Sequence, residues 1–298
     1  MSRHAFLIMA HKNFEQVSLL LQLLDDARFD IYLHVDNKVK DVPWESMQKS
    51  VTESDLTFLH DVDVAWGDSS QIRCEQVLIN AAMQSGRQYS YLHLPSGQDL
   101  PLRTNDEICR FFEQHVGRQF VSIGHTDIDD SLTFEDLSKY HTYRMFGKKG
   151  QQQPWRKMGD LLSHAQMLLG VNRDKSCALK HGKGANWFSI TGDFAQYVLD
   201  HWSITESHFM SRTLCCDELF LQTILLNSPF SADRYINEFD SDPHQTMRLI
   251  DWNRGAPYIY RLSDFEELMD SGCLFARKFD TAVDAPIVEK IASTIAAK

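Results

Sequence analysis

Two short stretches carry side chains whose types and spacing suit a reaction. In "LFARKFD" (274–280) the adjacent cations Arg277 and Lys278 sit inside an apolar frame of Leu274, Phe275, Ala276 and Phe279. Such a pair is either the solvated end of an element, with its stems lying along apolar surface, or the receptor of an anion such as a diphosphate. For the latter, Arg offers a planar donor fork and Lys a point charge. In "CCDELFLQTILL" (215–226) Asp217 and Glu218 open an apolar run that reads as a helix, at the end where the macrodipole and the free N–H groups favour carboxylates. They are either an N-cap with a first-turn acid or a carboxylate pair in an apolar setting, which is how a general base acquires a tuned pKa.

Other chemistries find less support. Asp-x-Asp, a spacing that can hold a divalent cation against a nucleotide-sugar, occurs at 61–63, 127–129 and 240–242. None directly follows a strong hydrophobic strand, although Asp61 and Asp63 lie close to a weak one. The thirteen histidines form no H-E-x-x-H and no tight cluster. Six cysteines (Cys74, Cys109, Cys177, Cys215, Cys216, Cys273) show no C-x-x-C spacing, so reduced, buried thiols in a cytoplasmic protein are expected. There is no G-x-S-x-G elbow, no G-x-G-x-x-G and no P-loop.

The elements that must position these residues alternate. "AFLIMA" (5–10) predicts a buried first strand, followed by a helix over 13–26 that Asn13 can cap. "FDIYLHVD" (29–36) and "DLTFLH" (55–60) read as strands, 68–83 as a helix and "YSYLHLPS" (89–96) as a strand. At 104–115, Thr104 with Glu107 three residues on spells a capping box. Strand–helix alternation predicts an α/β fold whose mostly parallel central sheet carries helices on both faces. Polar residues gather where the strands should end: His11, Asp36 with Lys38, Trp66, and Ser96 to Asp99. Ligands of open α/β sheets bind at that edge. From 126 to 183 the pattern loosens into a surface excursion, with "FGKKGQQQPWRK" (146–157) its most linker-like piece and a helix near 161–169. Order returns with "ANWFSI" (185–190), 192–202, 217–228, "MRLIDW" (247–252) and a last helix over 285–297.

At 298 residues, 43% hydrophobic and 24% charged, the chain has the balance of a soluble globular protein with a sizeable core. A net charge of −11 argues against a nucleic-acid partner bound over a broad basic surface. The first apolar run is too short for a signal-peptide core or a membrane span, so membrane contact is expected to be peripheral at most.

Taken in order, eight blocks resemble the Core-2/I-branching N-acetylglucosaminyltransferase family, which includes the peptide O-xylosyltransferases: "AFLIMAHKN", "FDIYLHVDNK", "VAWGDSS", "YLHLPSGQDLPLRTNDEI", "GANWFSIT", "CDELFLQTILLNSPF", "MRLIDWNRGAPY" and "LFARKFD". The resemblance spans nearly the whole chain. It implies one GT-A-like glycosyltransferase domain over 1–298, with a nucleotide-binding half (1–125) and an acceptor and catalytic half (184–298). It also implies a UDP-sugar donor, a glycan or glycolipid acceptor, inversion at the anomeric carbon and no metal or other cofactor. By position, Glu218 matches the catalytic base. His11, Asp36, Lys38, Trp66, Ser96 and Asp99 match the donor side, with Arg277 and Lys278 on the diphosphate and Arg261 as a second phosphate contact. Asn186, Trp187, Asp217 and Trp252 match the acceptor side. N-acetylglucosamine is the first expectation for the donor sugar and xylose the second. A metal-dependent transferase using Asp61 and Asp63, and a non-catalytic nucleotide-sugar-binding protein, are the alternatives. The sequence lacks the N-terminal anchor and paired cysteines of animal members, which implies a bacterial-type, cytoplasmic enzyme. Asp68 replaces the second Gly of the family's W-G-G, Ala185 the Ser of its G-S-x-W-F, and Asn186 an acidic residue of the xylosyltransferases.

Overall fold

The computed structural model describes residues 2–126, 154–171, 179–210, 215–240 and 242–297. Asp127 and Asp129, the Gly- and Gln-rich stretch 146–153, and Cys177 lie outside them.

The first strand, β1 (His4–Ala10), is buried on both faces, which is why it reads as a near-continuous apolar run. It pairs in parallel with β2 (Phe29–Val35) and, on its other side, with β4 (Tyr91–His93). Beyond β2 lies the parallel β3 (Asp55–Leu59). Beyond β4 lies β9 (Phe188–Thr191), which runs against both β4 and the two-residue strand β6 (Phe120–Val121). The sheet order is β3-β2-β1-β4-β9-β6, and β9 alone opposes the other strands. Successive β1 side chains feed two cores. Ala5 and Leu7 pack with Ile72, Leu78 and Phe194 from the helices Ser70–Gln84 and Gly192–Asp200. Phe6 and Ile8 pack with Val17, Leu20 and Phe112 from the helices Phe14–Leu23 and Asn105–Gln114. The expected α/β fold, with a mostly parallel sheet covered on both faces, is the one observed.

A smaller sheet places β11 (Phe275–Arg277) between β10 (Arg248–Ile250), parallel to it, and β5 (Asp99–Pro101), antiparallel. A third pairs β7 (His125–Thr126) with β8 (Gly182–Lys183). The small sheet has its own core of Leu100, Leu102, Ala276, Phe279, Ile287 and Ile291, closed by the last helix.

Local signals fared unequally. The capping box forms as expected: the Thr104 hydroxyl accepts from the Glu107 N–H at 3.2 Å, and the Glu107 carboxylate accepts from the Thr104 N–H at 2.9 Å. Asn13, expected to cap the first helix, does not. It adopts a left-handed conformation (φ 54°), and its amide donates at 2.7 Å to Asp280, which also takes the Lys12 ammonium at 2.8 Å. The bond to this distant carboxylate holds the Asn13 amide by its nitrogen, and no helix N–H donates to its side chain. The helix expected from Asp217 divides in two, a single 3-10 turn at Cys216–Glu218 and an α-helix at Phe220–Leu226. The last helix is assigned from Thr281, but Asp284 interrupts its backbone and caps the regular part through the Ile287 N–H at 3.0 Å.

Candidate active site

The parallel strands β1, β2, β3 and β4 leave the central sheet at one edge, and the antiparallel β9 enters there. This topology collects His11 after β1, Asp36 and Lys38 after β2, Trp66 in the loop after β3, Ser96 after β4, and Asn186 and Trp187 just before β9. These residues stand, as the sequence pattern placed them, where the parallel strands end.

On the acidic side of this edge, tertiary bonds pin the turn Cys216–Glu218. The Cys215 N–H donates to the Gly67 carbonyl at 3.2 Å, and the Gly184 N–H donates to the Glu218 carbonyl at 3.0 Å. Gly184 must be glycine, since a Cβ there would stand 1.8 Å from the Ser122 carbonyl oxygen. Gln71 ties the Trp66 loop to the acids, accepting from the Gly67 N–H and donating to Asp217 Oδ2 at 2.9 Å. Asn186 Nδ2 donates to the same oxygen at 3.3 Å. Asp217 is thereby turned into the protein, and burial, then the neighbouring Glu218 charge, push its carboxyl up to about 7. Glu218 is half-buried. Burial raises its pKa too, and Lys183 of β8 opposes the shift. A carboxylate raised by desolvation and still reachable from solvent suits a general base.

The basic side is built on the small sheet. Arg277 lies opposite Asp99 across β11 and β5, and its guanidinium donates to Asp99 Oδ1 at 2.8 Å and to the Ser96 hydroxyl. Its face lies on the Trp187 ring at 4.3 Å. Asp99 is buried, and the Ser96 hydroxyl donates to it at 2.8 Å. Lys278 is half-buried. Its carbonyl accepts from the Tyr260 N–H at 3.0 Å, which sets the exposed Arg261 next to the basic pair. Asp280 holds Lys12 and Asn13, so the residues following β1, His11 among them, are fastened to the same segment.

After β2, Asp36 Oδ1 accepts from the N–H groups of Lys38 (3.1 Å) and Val64 (3.2 Å), fixing the loop that leads to Trp66. The Lys38 ammonium pairs with Asp36 Oδ2 at 3.1 Å and reaches the Val64 carbonyl. Trp66 and Trp252 are 55% and 58% exposed, as faces on which a base or sugar ring could stack would have to be. Asp61 and Asp63 are both exposed, and Asp63 accepts from Asn37 at 2.8 Å. Among the described residues no group of three or more His, Cys, Asp or Glu could hold a metal ion.

Four residues that reading the sequence passed over join this edge or its support. Gln71 and Lys183 are described above. Glu75, fully buried, faces Asp217 and Asn186. Arg248 of β10 is buried with no acceptor for its guanidinium among the described residues. It lies over the Phe275 ring at 5.2 Å, and burial lowers its pKa to about 10. Glu75 left a trace in the sequence: it falls on the apolar stripe of its helix, three residues after Ile72 and four before Ile79, where a solvated acid has no place.

A family model for the Core-2/I-Branching enzyme matches residues 4–268. The chain belongs to that family. It is the family that the eight ordered blocks resemble. The curated relatives include Xylosyltransferase 2 of Mus musculus, 23% identical over 303 residues, an alignment taking in 96% of this chain and 33% of that protein. Xylosyltransferase 1 of Rattus norvegicus is 23% identical over 314 residues, covering 98% of this chain and 35% of that protein. The chain thus spans about a third of the length of these relatives. Among solved structures, the apo form of mouse xyloside xylosyltransferase 1 aligns over 93% of this chain and 97% of its own, at a TM-score of 0.38 and 10% identity. Among the described residues of this Core-2/I-branching family member, no helix is long and apolar enough to cross a membrane.

Proposed function

We propose that the protein moves a sugar from a UDP-sugar to a glycan hydroxyl, with inversion and without a metal ion. Glu218 takes the acceptor proton as the acceptor oxygen attacks the anomeric carbon. The bond from that carbon to the diphosphate oxygen breaks, its electron pair leaves with UDP, and Arg277 and Lys278 meet the developing charge. One observation carries this reading. Trp187 lies under the Arg277 guanidinium, while its neighbour Asn186 is bonded to Asp217, the residue next to Glu218. The dipeptide thus touches both Arg277, read here as the leaving group's cation, and the acid pair that includes Glu218, read here as the base.

N-acetylglucosamine is the donor sugar this reading puts first, following the resemblance of the sequence blocks. Xylose is the second reading, favoured by the xylosyltransferase relatives. The test is UDP release from a panel of UDP-sugars, with and without glycan acceptors, in the presence and absence of EDTA. Release from one donor that persists in EDTA is expected. Loss in EDTA would transfer the diphosphate role to a metal at Asp61 and Asp63, and UDP binding without release from any donor–acceptor pair would make the protein a binding module.

A further inference from the structure

Glu75 sits at the middle of the helix Ser70–Gln84, fully buried, and neither of its carboxylate oxygens has a well-formed hydrogen bond, the Asn186 side chain being the one donor among the described residues near enough to favour its charged form. An ion in that position would have only the Asn186 amide to set against full burial, so the neutral acid is the favoured form. Burial, then the charge of Asp217, drive its pKa well above the carboxylate range. A neutral acid solves one problem and creates another, because its O–H now needs an acceptor. Two are at hand. Asn186 and Asp217 are its polar neighbours, and Oδ1 of each is buried with no donor. One proton on Glu75 supplies the donor this cluster lacks.

We propose that Glu75 is a positioning residue that acts as a neutral acid, donating its one proton to the buried Oδ1 of Asp217 and so fixing the turn that presents Glu218. The proposal rests on the reading of Glu218 as the base. Asp217 is held on one oxygen by Gln71 and Asn186, and Glu75 completes its surroundings on the other. The turn is then held at its side chains as well as at its backbone.

Two variants separate this from a merely structural role. Glu75→Gln keeps a donor and removes the ionisable group, whereas Glu75→Met fills similar space without a donor. The Gln variant should keep kcat within about threefold, while the Met variant should lose about tenfold or more with UDP affinity unchanged. Protonation is read separately, from thermal midpoints. The unfolded Glu loses its proton above about pH 4.3 while the folded one keeps it, so wild-type stability falls as pH rises and the Gln variant escapes that part of the fall. The midpoint of Glu75→Gln minus that of wild type should therefore grow from about pH 5 to about pH 8. The other groups facing the cluster (Asp36, Asp68, Cys74, Lys183, Cys216, Asp217 and Glu218) are common to both proteins and cancel in the difference. A pH-independent difference, or a Gln variant as damaged in kcat as the Met variant, overturns the proposal. Should wild type transfer no sugar at all, the functional reading fails, and the midpoints still decide whether Glu75 is neutral.

Discussion

A carboxylate removes a proton from a sugar hydroxyl efficiently only when its pKa is lifted toward neutrality while its ionised form stays accessible. Glu218 meets both conditions through half-burial and through Lys183, which limits the rise. Replacing Glu218 by Gln should lower kcat by about a hundred- to ten-thousand-fold and leave UDP affinity unchanged, with stopped assays for turnover and calorimetry for UDP. Equal turnover in the variant would remove the assignment. The same raised pKa predicts that kcat/KM falls with acidity from above the ordinary carboxylate range, because the base must be ionised to work. The Glu218 charge helps push the Asp217 carboxyl up to about 7, whereas burial is what raises Glu218, so Asp217→Asn should leave the acid limb where it is. A limb moved to lower pH would show that Asp217 already carries its charge while Glu218 titrates. At this scale the sequence was half legible. Glu218 and the basic pair stand in recognisable blocks, but Asp217 could not be seen to face inward, nor Glu75 and Gln71 to meet it, because those contacts join residues about 140 apart along the chain.

Elements whose identity rests on periodicity were readable, and those whose form rests on tertiary partners were not. The buried run of β1 and the capping box at Thr104 are local chemistry. Asn13 and the turn at Cys216–Glu218 depend on Asp280, Gly67 and Gly184, which no local pattern announces. The reversed direction of β9 was equally hidden, although it is what brings Asn186 and Trp187 to the edge where the parallel strands end. Gly184 and Gly192 lie beyond opposite ends of β9 and permit a comparison. A Cβ at Gly192 would stand 2.4 Å from the Tyr89 carbonyl oxygen, as one at Gly184 would clash with that of Ser122. Each Gly→Ala change should cost about 1–3 kcal/mol, seen as a lowered thermal midpoint. Only Gly184→Ala should also lower kcat of the folded fraction, since its N–H holds the Glu218 carbonyl. Comparable kcat losses in both variants would mean that Gly184 has no particular link to the base.

Across the whole molecule, a chain of net charge −11 that is to bind an anionic donor must confine its attraction to one place. That place is also a joint. Arg277 and Asp99 belong to the small sheet, while Ser96, which bonds to both, follows β4 of the central sheet and bridges to Met9. Arg277 holds Asp99, and under the proposed function both it and Lys278 would meet the diphosphate. Removing one partner of a buried pair leaves the other stranded, at a cost of about 3–5 kcal/mol. Asp99 is 1% exposed and would be such a partner. Arg277→Met should accordingly lower the thermal midpoint without ligand and also shrink the rise that saturating UDP produces. Lys278→Ala should shrink the UDP-dependent rise measured from its own unliganded midpoint, because a ligand stabilises in proportion to the logarithm of its affinity. Scanning calorimetry of the three proteins with and without UDP decides the matter. A Lys278→Ala protein with a full UDP response would detach that residue from the diphosphate. An Arg277→Met protein as stable as wild type would mean that the joint between the sheets is held elsewhere, leaving the Arg277 guanidinium available to the donor alone.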